Sequence, residues 1–153
     1  MNMKLRLFVC LMALSGAAAA GCTSDPVQLE SEPTPSTAEA AVHPEIGETF
    51  QLSPGEVASV ENGDLLIAFR SVGQDSRCPS DVTCVWAGDA EIHLGTAREG
   101  GPWSWSVLHT TIEPMSLQVE GFVLEVVGLD PVPVSTAPIP QSAYRVSLRV
   151  TRP

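Results

Sequence analysis

Lysine is almost missing from this chain of 153 residues: Lys4 is the only one, and eight basic residues stand against 18 acidic ones. The formal net charge at pH 7 is therefore −10. Binding to nucleic acid or to anionic lipid by charge requires clusters of basic side chains, which this composition cannot supply. We expect no nucleic-acid partner.

The residue patterns of common catalytic sites are also missing. The sequence has no G-x-S-x-G elbow, no H-E-x-x-H or S-x-x-K motif and no phosphate-binding loop. The histidines that could serve a catalytic triad are His43, His93 and His109. His93 alternates with apolar neighbours and should face solvent on a strand, whereas His109 should be a partly buried residue at a strand edge. We therefore predict a protein that is not an enzyme, with no catalytic residue and no cofactor.

Metal binding finds little support either. Cys78 and Cys84 lack a second cysteine or histidine pair at the spacing of a zinc site. Calcium needs several oxygen atoms on one loop, and a solvated acidic rim is the simpler interpretation of the only concentration of such ligands. That concentration comprises Asp75, Asp81, Asp89 and Glu91. No metal site is predicted.

The amino terminus has the pattern of an export signal. Lys4 and Arg6 precede an apolar run, residues 7–20, which is too short to span a bilayer as a stable helix but suits the core of a signal peptide. The run leads into the letters AAGC, and small residues directly before a cysteine resemble the bacterial lipobox. That resemblance implies cleavage after residue 21 and lipid attachment to Cys22, with alanine at position 19 in place of the usual leucine.

Export determines the expected location and the state of the cysteines. A lipid chain contributes roughly 0.8 kcal/mol per buried methylene, so an acylated Cys22 would anchor the protein to a membrane of the bacterial cell envelope. By resemblance to such lipoproteins, Thr23 after the cysteine favours the outer membrane. An ordinary signal peptide would instead leave the protein periplasmic or secreted. Cys78 and Cys84 remain as an even pair in an oxidising compartment, so we predict a disulfide between them.

Composition divides the rest of the chain into a tether and one domain. Residues 22–43 begin with the lipidated cysteine, are rich in Pro, Ser, Thr, Glu and Ala, and contain no aromatic residue. Such a segment cannot bury enough apolar surface to offset the entropy of ordering it. Residues 44–153 are long enough for a single core. The predicted organisation is a signal peptide at 1–21, a disordered tether at 22–43 and one domain at 44–153.

Alternation of apolar and polar residues predicts that this domain is all-β. In residues 144–151 every even position is apolar, which places one face of a strand inward. Residues 64–70 are nearly continuously apolar, as in a central strand covered on both faces. Residues 90–94 and 103–109 form a further predicted strand pair. Prolines exclude a helix or a central strand from residues 130–141.

Turn signals separate these strands. Asn62-Gly63 and Glu120-Gly121 mark two hairpins. Short strands with turns between them predict an antiparallel β-sandwich of about seven to eight strands, with a small β-barrel as the alternative. Trp103 and Trp105 share one face of a predicted strand; packing in the core is favoured over stacking on a sugar or a peptide.

The stretch DSRCPSDVTCVWAG (residues 75–88) concentrates two cysteines, a tryptophan, a proline and two acidic residues. It has two interpretations. In the first, the disulfide fixes a turn, and Trp86 packs on the disulfide and caps the core. In the second, the rigid ring is a binding loop, because a preordered loop avoids part of the entropy cost of association. The candidate binding residues are Pro79, Ser80, Asp81, Val82, Thr83 and Trp86. A bridge so local would staple a loop rather than the fold.

The letters DSRCP and CVWAG, followed by a strand and by a terminal Y-x-V-x-L-x-V strand, resemble a group of small exported bacterial proteins without an established activity, many with lipoprotein signals. The resemblance covers residues 63–90 and the last strand. It implies an envelope location and a compact β domain, and it assigns no ligand. We predict an envelope lipoprotein that recognises an envelope or extracellular protein through the stapled loop. The alternatives are a scaffolding lipoprotein without a specific ligand and a proteinase-inhibitor-like domain.

Overall fold

The structure is a computed structural model, and it describes residues 40–134 and 137–153. The predicted signal peptide, Cys22 and the tether up to residue 39 lie outside these ranges and stay predictions. Within the ranges, no helix is long and apolar enough to cross a membrane.

Two four-stranded antiparallel sheets make up the domain. Their strand orders are β1-β8-β7-β6 and β2-β3-β4-β5. The sheets are not closed into a barrel, so the predicted β-sandwich is confirmed. The strands are β1 (Thr49–Leu52), β2 (Val57–Val60), β3 (Leu65–Asp75), β4 (Ala90–Ala97), β5 (Ser104–His109), β6 (Ser116–Val119), β7 (Phe122–Asp130) and β8 (Arg145–Thr151).

Side-chain alternation builds the core between the sheets. Along β8, Val146, Leu148 and Val150 are fully buried, as the even positions of that segment predicted. In β7 the inward positions begin at Phe122, and a register shift after Val126 changes the phase of the alternation. Because side chains in a strand point alternately to opposite faces, one such set from each strand suffices to fill a single core.

β3 is a central strand that is covered on both faces. Leu65, Ile67 and Phe69 belong to the main core, whereas Leu66 and Ala68 face outward. A smaller outer cluster with Val57, Ala97 and Trp103 covers these two. The continuous apolar run is therefore explained by burial on both sides of the sheet.

Both predicted hairpins are present. Val60 pairs with Leu65 across the loop that contains Asn62-Gly63. Val119 pairs with Phe122, and the two residues between them have the positive φ angles of 54° and 82° that a type I′ turn requires. Local turn chemistry therefore sets the register of these two strand pairs.

Two features of the fold go beyond the sequence pattern. β1 is an additional strand at the edge of its sheet, beside β8. Ala41 and Val42, assigned by composition to the tether, hydrogen-bond to β2: the Ala41 N–H donates to Val57 O and the Val42 O accepts from Ser59 N–H, both at 2.9 Å. Val42 also packs against the core.

Candidate functional site

Three connections meet at one end of the sandwich because β3, β5 and β7 all run toward it. They are loop A (residues 76–89, between β3 and β4), loop B (residues 110–115, between β5 and β6) and loop C (residues 131–144, between β7 and β8). We call this region the three-loop end. Loops displayed by a rigid sandwich are the usual position of binding residues.

The predicted disulfide is confirmed and closes the tip of loop A. The Cys78 and Cys84 sulfurs are 2.12 Å apart. Below the bridge, the backbone continues the pairing of β3 and β4: Ser76 N–H donates to Asp89 O at 2.7 Å and Cys78 N–H donates to Ala87 O at 2.8 Å. Loop A is therefore a stapled extension of a hairpin.

Gly88 allows loop A to return into β4. Its φ of 71° lies in the left-handed region, and a Cβ at this position would lie 1.9 Å from the Ser76 carbonyl oxygen. Only glycine fits so close an approach of two backbone segments.

Arg77 ties loop A to the end of β7 and to loop C. Its guanidinium donates to the backbone carbonyls of Leu129 and, at 2.9 Å, Pro131, and forms an ion pair with Asp75 at 2.7 Å. The two side chains of this ion pair are largely buried. A planar group that donates in several directions suits this junction between loops.

Tyr144 completes that polar junction. Its hydroxyl donates to Asp75 Oδ2 at 3.0 Å. Burial would raise the pKa of Asp75, but hydrogen bonds from Arg77 and Tyr144 outweigh burial and hold the pKa below its ordinary value of 3.8. Burial and the neighbouring Asp75 carboxylate raise the pKa of Tyr144 to about 12.

Asp89 fixes loop B by accepting hydrogen bonds from residues at its start. Its carboxylate accepts hydrogen bonds from the Thr110 and Thr111 N–H groups, both at 3.0 Å, and Oδ2 lies 2.6 Å from His109 Nδ1. Burial would raise the pKa of Asp89, yet the hydrogen bonds from His109 and the two threonines lower it to about 2. His109 is partly buried at the end of β5, as predicted.

Trp86 does not cap the core, so the packing interpretation of this residue is wrong. Its side chain is 82% exposed, and that of Val85 is 88% exposed. The backbone hydrogen bonds of Cys78 and Ser80 hold loop A in a conformation that leaves the indole in solvent. Six of the ten large hydrophobic side chains that are exposed in the described ranges belong to the three loops: Val82, Val85, Trp86, Ile112, Val132 and Val134.

The predicted loop residues share this surface. Pro79 is half-buried, whereas Ser80, Asp81, Val82 and Thr83 are exposed. Ser80 N–H donates to Pro133 O at 2.9 Å, which joins the tip to loop C. A cleft of about 280 Å³ lies between the two loops, lined by Pro79, Pro133, Ile139 and Tyr144 together with the Asp75 and Arg77 side chains.

The described residues of the three-loop end do not form a metal site. The Asp75 and Asp89 carboxylates serve different loops, and the described residues contain no group of three or more His, Cys, Asp or Glu side chains arranged to hold a metal ion. The sequence did not predict that Arg77, Tyr144 and His109 anchor the loops. The spacing Asp75-x-Arg77 was the only local signal of that network.

No protein-family model matches this chain, and comparisons with curated proteins and with solved structures find no similar protein.

Proposed function

We propose that this protein is a non-catalytic recognition module of the bacterial cell envelope, which binds another protein through the three-loop end. The observation that carries the proposal is the exposure of Trp86, 82% accessible on a loop closed by a disulfide. Tryptophan is among the residues that dominate binding energy when a partner buries them. An exposed indole beside an exposed valine is therefore a suitable anchor.

The rigidity of the loop supports the same proposal. Arg77, Ser80 and Asp89 tie loop A and its base to loops C and B by hydrogen bonds. A partner that binds Trp86 and Val85 would meet side chains on a backbone already ordered, so less conformational entropy is lost. Each large apolar side chain fully buried by the partner would contribute roughly 1.5–3 kcal/mol.

A photo-crosslinking residue tests this proposal in cells that make the full chain. We expect crosslinked protein when the probe replaces Val85, and little when it replaces Val127, a 46% exposed valine on β7 that serves as the matched control. Adding Trp86→Ala to the Val85 probe should reduce the crosslink by about tenfold or more, as for an interface hot spot. Equal products from the two probe positions, or no effect of Trp86→Ala, would refute the proposed surface.

Two further substitutions separate recognition from scaffolding. Asp81 and Val82 lie on the same exposed tip, and replacing either by alanine should weaken partner capture while the domain stays folded. A scaffolding lipoprotein without a specific ligand predicts no phenotype from either change. A proteinase as the captured partner would identify the inhibitor-like variant of the proposal.

We also propose that Cys22 carries the lipid that anchors the module, with the outer membrane as its location and a periplasmic or secreted protein as the alternative. The lipobox-like letters AAGC support this assignment. Radiolabelled palmitate should enter the parent protein and be lost in Cys22→Ala. Label that persists in that variant, or is absent from the parent, would contradict lipidation at this cysteine.

A further inference from the structure

β5 is an unusual edge strand in this sandwich. β1 and β6, the edges of the other sheet, have only four residues each. β2 is covered at its outer side by Ala41 and Val42. β5 has six residues, SWSVLH, with no acidic or basic residue other than the terminal histidine, no proline and no register break against β4. An edge of this length without a bulge or an acidic side chain is a template for pairing with a further strand.

Two hydrogen bonds show which backbone groups of β5 point toward β4 and which point away from it. Thr110 N–H donates to Ala90 O, on the β4 side, whereas His109 N–H donates to Pro114 O, on the other side. Successive residues in a strand direct their N–H and C=O groups to opposite sides. The corresponding groups of Trp105 and Val107 therefore point away from β4, and in the described ranges no strand pairs with this side of β5.

The side chains of the same two residues are also accessible. Trp105 is 44% exposed and Val107 is 41% exposed, both on the outer face of the sheet. The Trp105 ring lies against Gly95, where a Cβ would approach it to 2.8 Å, so the indole rests on the sheet and leaves the edge open. The Arg70 guanidinium lies 5.1 Å from the centre of this ring.

We propose that a second copy of this chain pairs with β5, antiparallel, about a two-fold axis at Ser106. In this register Trp105 of each copy lies opposite Val107 of the other, and these two residues exchange backbone hydrogen bonds in both directions. Aromatic and β-branched side chains form a favourable cross-strand pair. The β2-β3-β4-β5 sheet of one copy and the same sheet of the other copy then form one continuous sheet of eight strands.

Charge favours a second copy at this place. Two molecules with a formal charge of −10 repel each other, and the local repulsion is smallest where acidic side chains are absent from the contact. β5 contains no acidic residue, so no acidic side chain of this strand would face the other copy. The surface is also self-complementary, which an isologous two-fold contact requires.

Cysteine crosslinking of the full chain in detergent tests the register. Opposite residues in a non-hydrogen-bonded antiparallel pair have Cα atoms about 4.5 Å apart, within the range that a disulfide spans. Ser106→Cys should give a covalent dimer after mild oxidation. Ser104→Cys, the control on the same strand, would face Leu108 of the other copy and should give far less. No dimer from Ser106→Cys, or equal yields from both variants, would overturn the proposal.

Light scattering tests the assembly itself. The parent should be dimeric, and Val107→Pro should be monomeric, because proline removes only an N–H that points away from β4. Val107→Lys places two like charges near the axis and should also give a monomer, which should stay folded because Val107 is 41% exposed in the single chain. A parent that is monomeric overturns the proposal. So does a dimer that survives in folded Val107→Lys protein.

Discussion

The Tyr144 hydroxyl donates a 3.0 Å hydrogen bond to Asp75 Oδ2, although the two residues are 69 positions apart in the chain. Tyr144 directly precedes β8 in one sheet, and Asp75 is the last residue of β3 in the other. With Arg77 on the same carboxylate, this contact joins the two sheets at the three-loop end. Loop A therefore stands on a buried polar junction.

Tyr144 should ionise only near pH 12. It is the only tyrosine of the chain, so the ultraviolet absorbance of tyrosinate reports on it directly. Burial and the Asp75 carboxylate raise its pKa from 10.0 to about 12 in the folded state. Asp75→Asn should lower that pKa, because the substitution removes the negative charge. A midpoint at the ordinary value in folded parent protein would contradict this environment.

The same pKa has a consequence for stability in alkali. Because the folded-state pKa lies above the unfolded value of 10.0, the contribution of Tyr144 is complete below pH 10 and is lost as the pH rises toward 12. Tyr144→Phe should cost about 1 kcal/mol at neutral pH through the lost hydrogen bond. It should also reduce the fall in urea midpoint above pH 10. An identical alkaline dependence in both proteins would count against the assignment.

Asp89 should contribute to the acid dependence of stability with the opposite sign. Hydrogen bonds from His109, Thr110 and Thr111 outweigh burial and lower its pKa from 3.8 to about 2. Its contribution is therefore complete above the unfolded value and is lost as the pH falls from 3.8 toward 2.

Substitution of Asp89 tests that assignment. Asp89→Asn should lower the urea midpoint at pH 7 and flatten its fall in acid. Asp64→Asn, at an exposed carboxylate, is the control and should leave both nearly unchanged. Equal effects of the two substitutions would show that loop B does not depend on the Asp89 carboxylate.

Gly88→Ala should be far more destabilising than Gly100→Ala. Both glycines have nearly the same positive φ, 71° and 72°, so the strain of a left-handed alanine, roughly 1–2 kcal/mol, is common to both. Only Gly88 faces the Ser76 carbonyl oxygen; Gly100 has nothing within 4 Å of an added Cβ. Urea unfolding of the two variants isolates the steric part. Similar losses of stability in the two variants would mean that the backbone of loop A shifts to accommodate the added Cβ.

Removal of the disulfide should weaken the loop without unfolding the domain. The bridge closes a short loop, which corresponds to about 2 kcal/mol of unfolded-chain entropy. The Cys78→Ser, Cys84→Ser double variant should lose up to that amount while the Ser76 to Asp89 backbone hydrogen bond remains. Crosslinking from position 85 should fall as the tip becomes less ordered. Unchanged stability and unchanged crosslinking would together show that the staple has no role.

Strand positions could be predicted because the signal is local. Apolar side chains at every second residue of β8 face one side whatever the strand pairs with, and Asn62-Gly63 and Glu120-Gly121 carry their turn geometry in their own backbone preferences. β1 could not be found in this way, since its four residues pair with β8 near the other end of the described chain and no hairpin turn links the two strands. The disulfide was predicted differently, from the two cysteines that the expected export would leave as an even pair in an oxidising compartment.

The sequence by itself thus determined an all-β sandwich and a stapled loop between β3 and β4. Only the tertiary structure decided that this loop stands beside loops B and C and that Trp86 points into solvent. The reason is that an indole can bury itself wherever the backbone allows. The path of loop A is set by hydrogen bonds from Arg77 and Ser80 to residues more than fifty positions away, at Leu129 and Pro133. No local pattern encodes contacts of that separation.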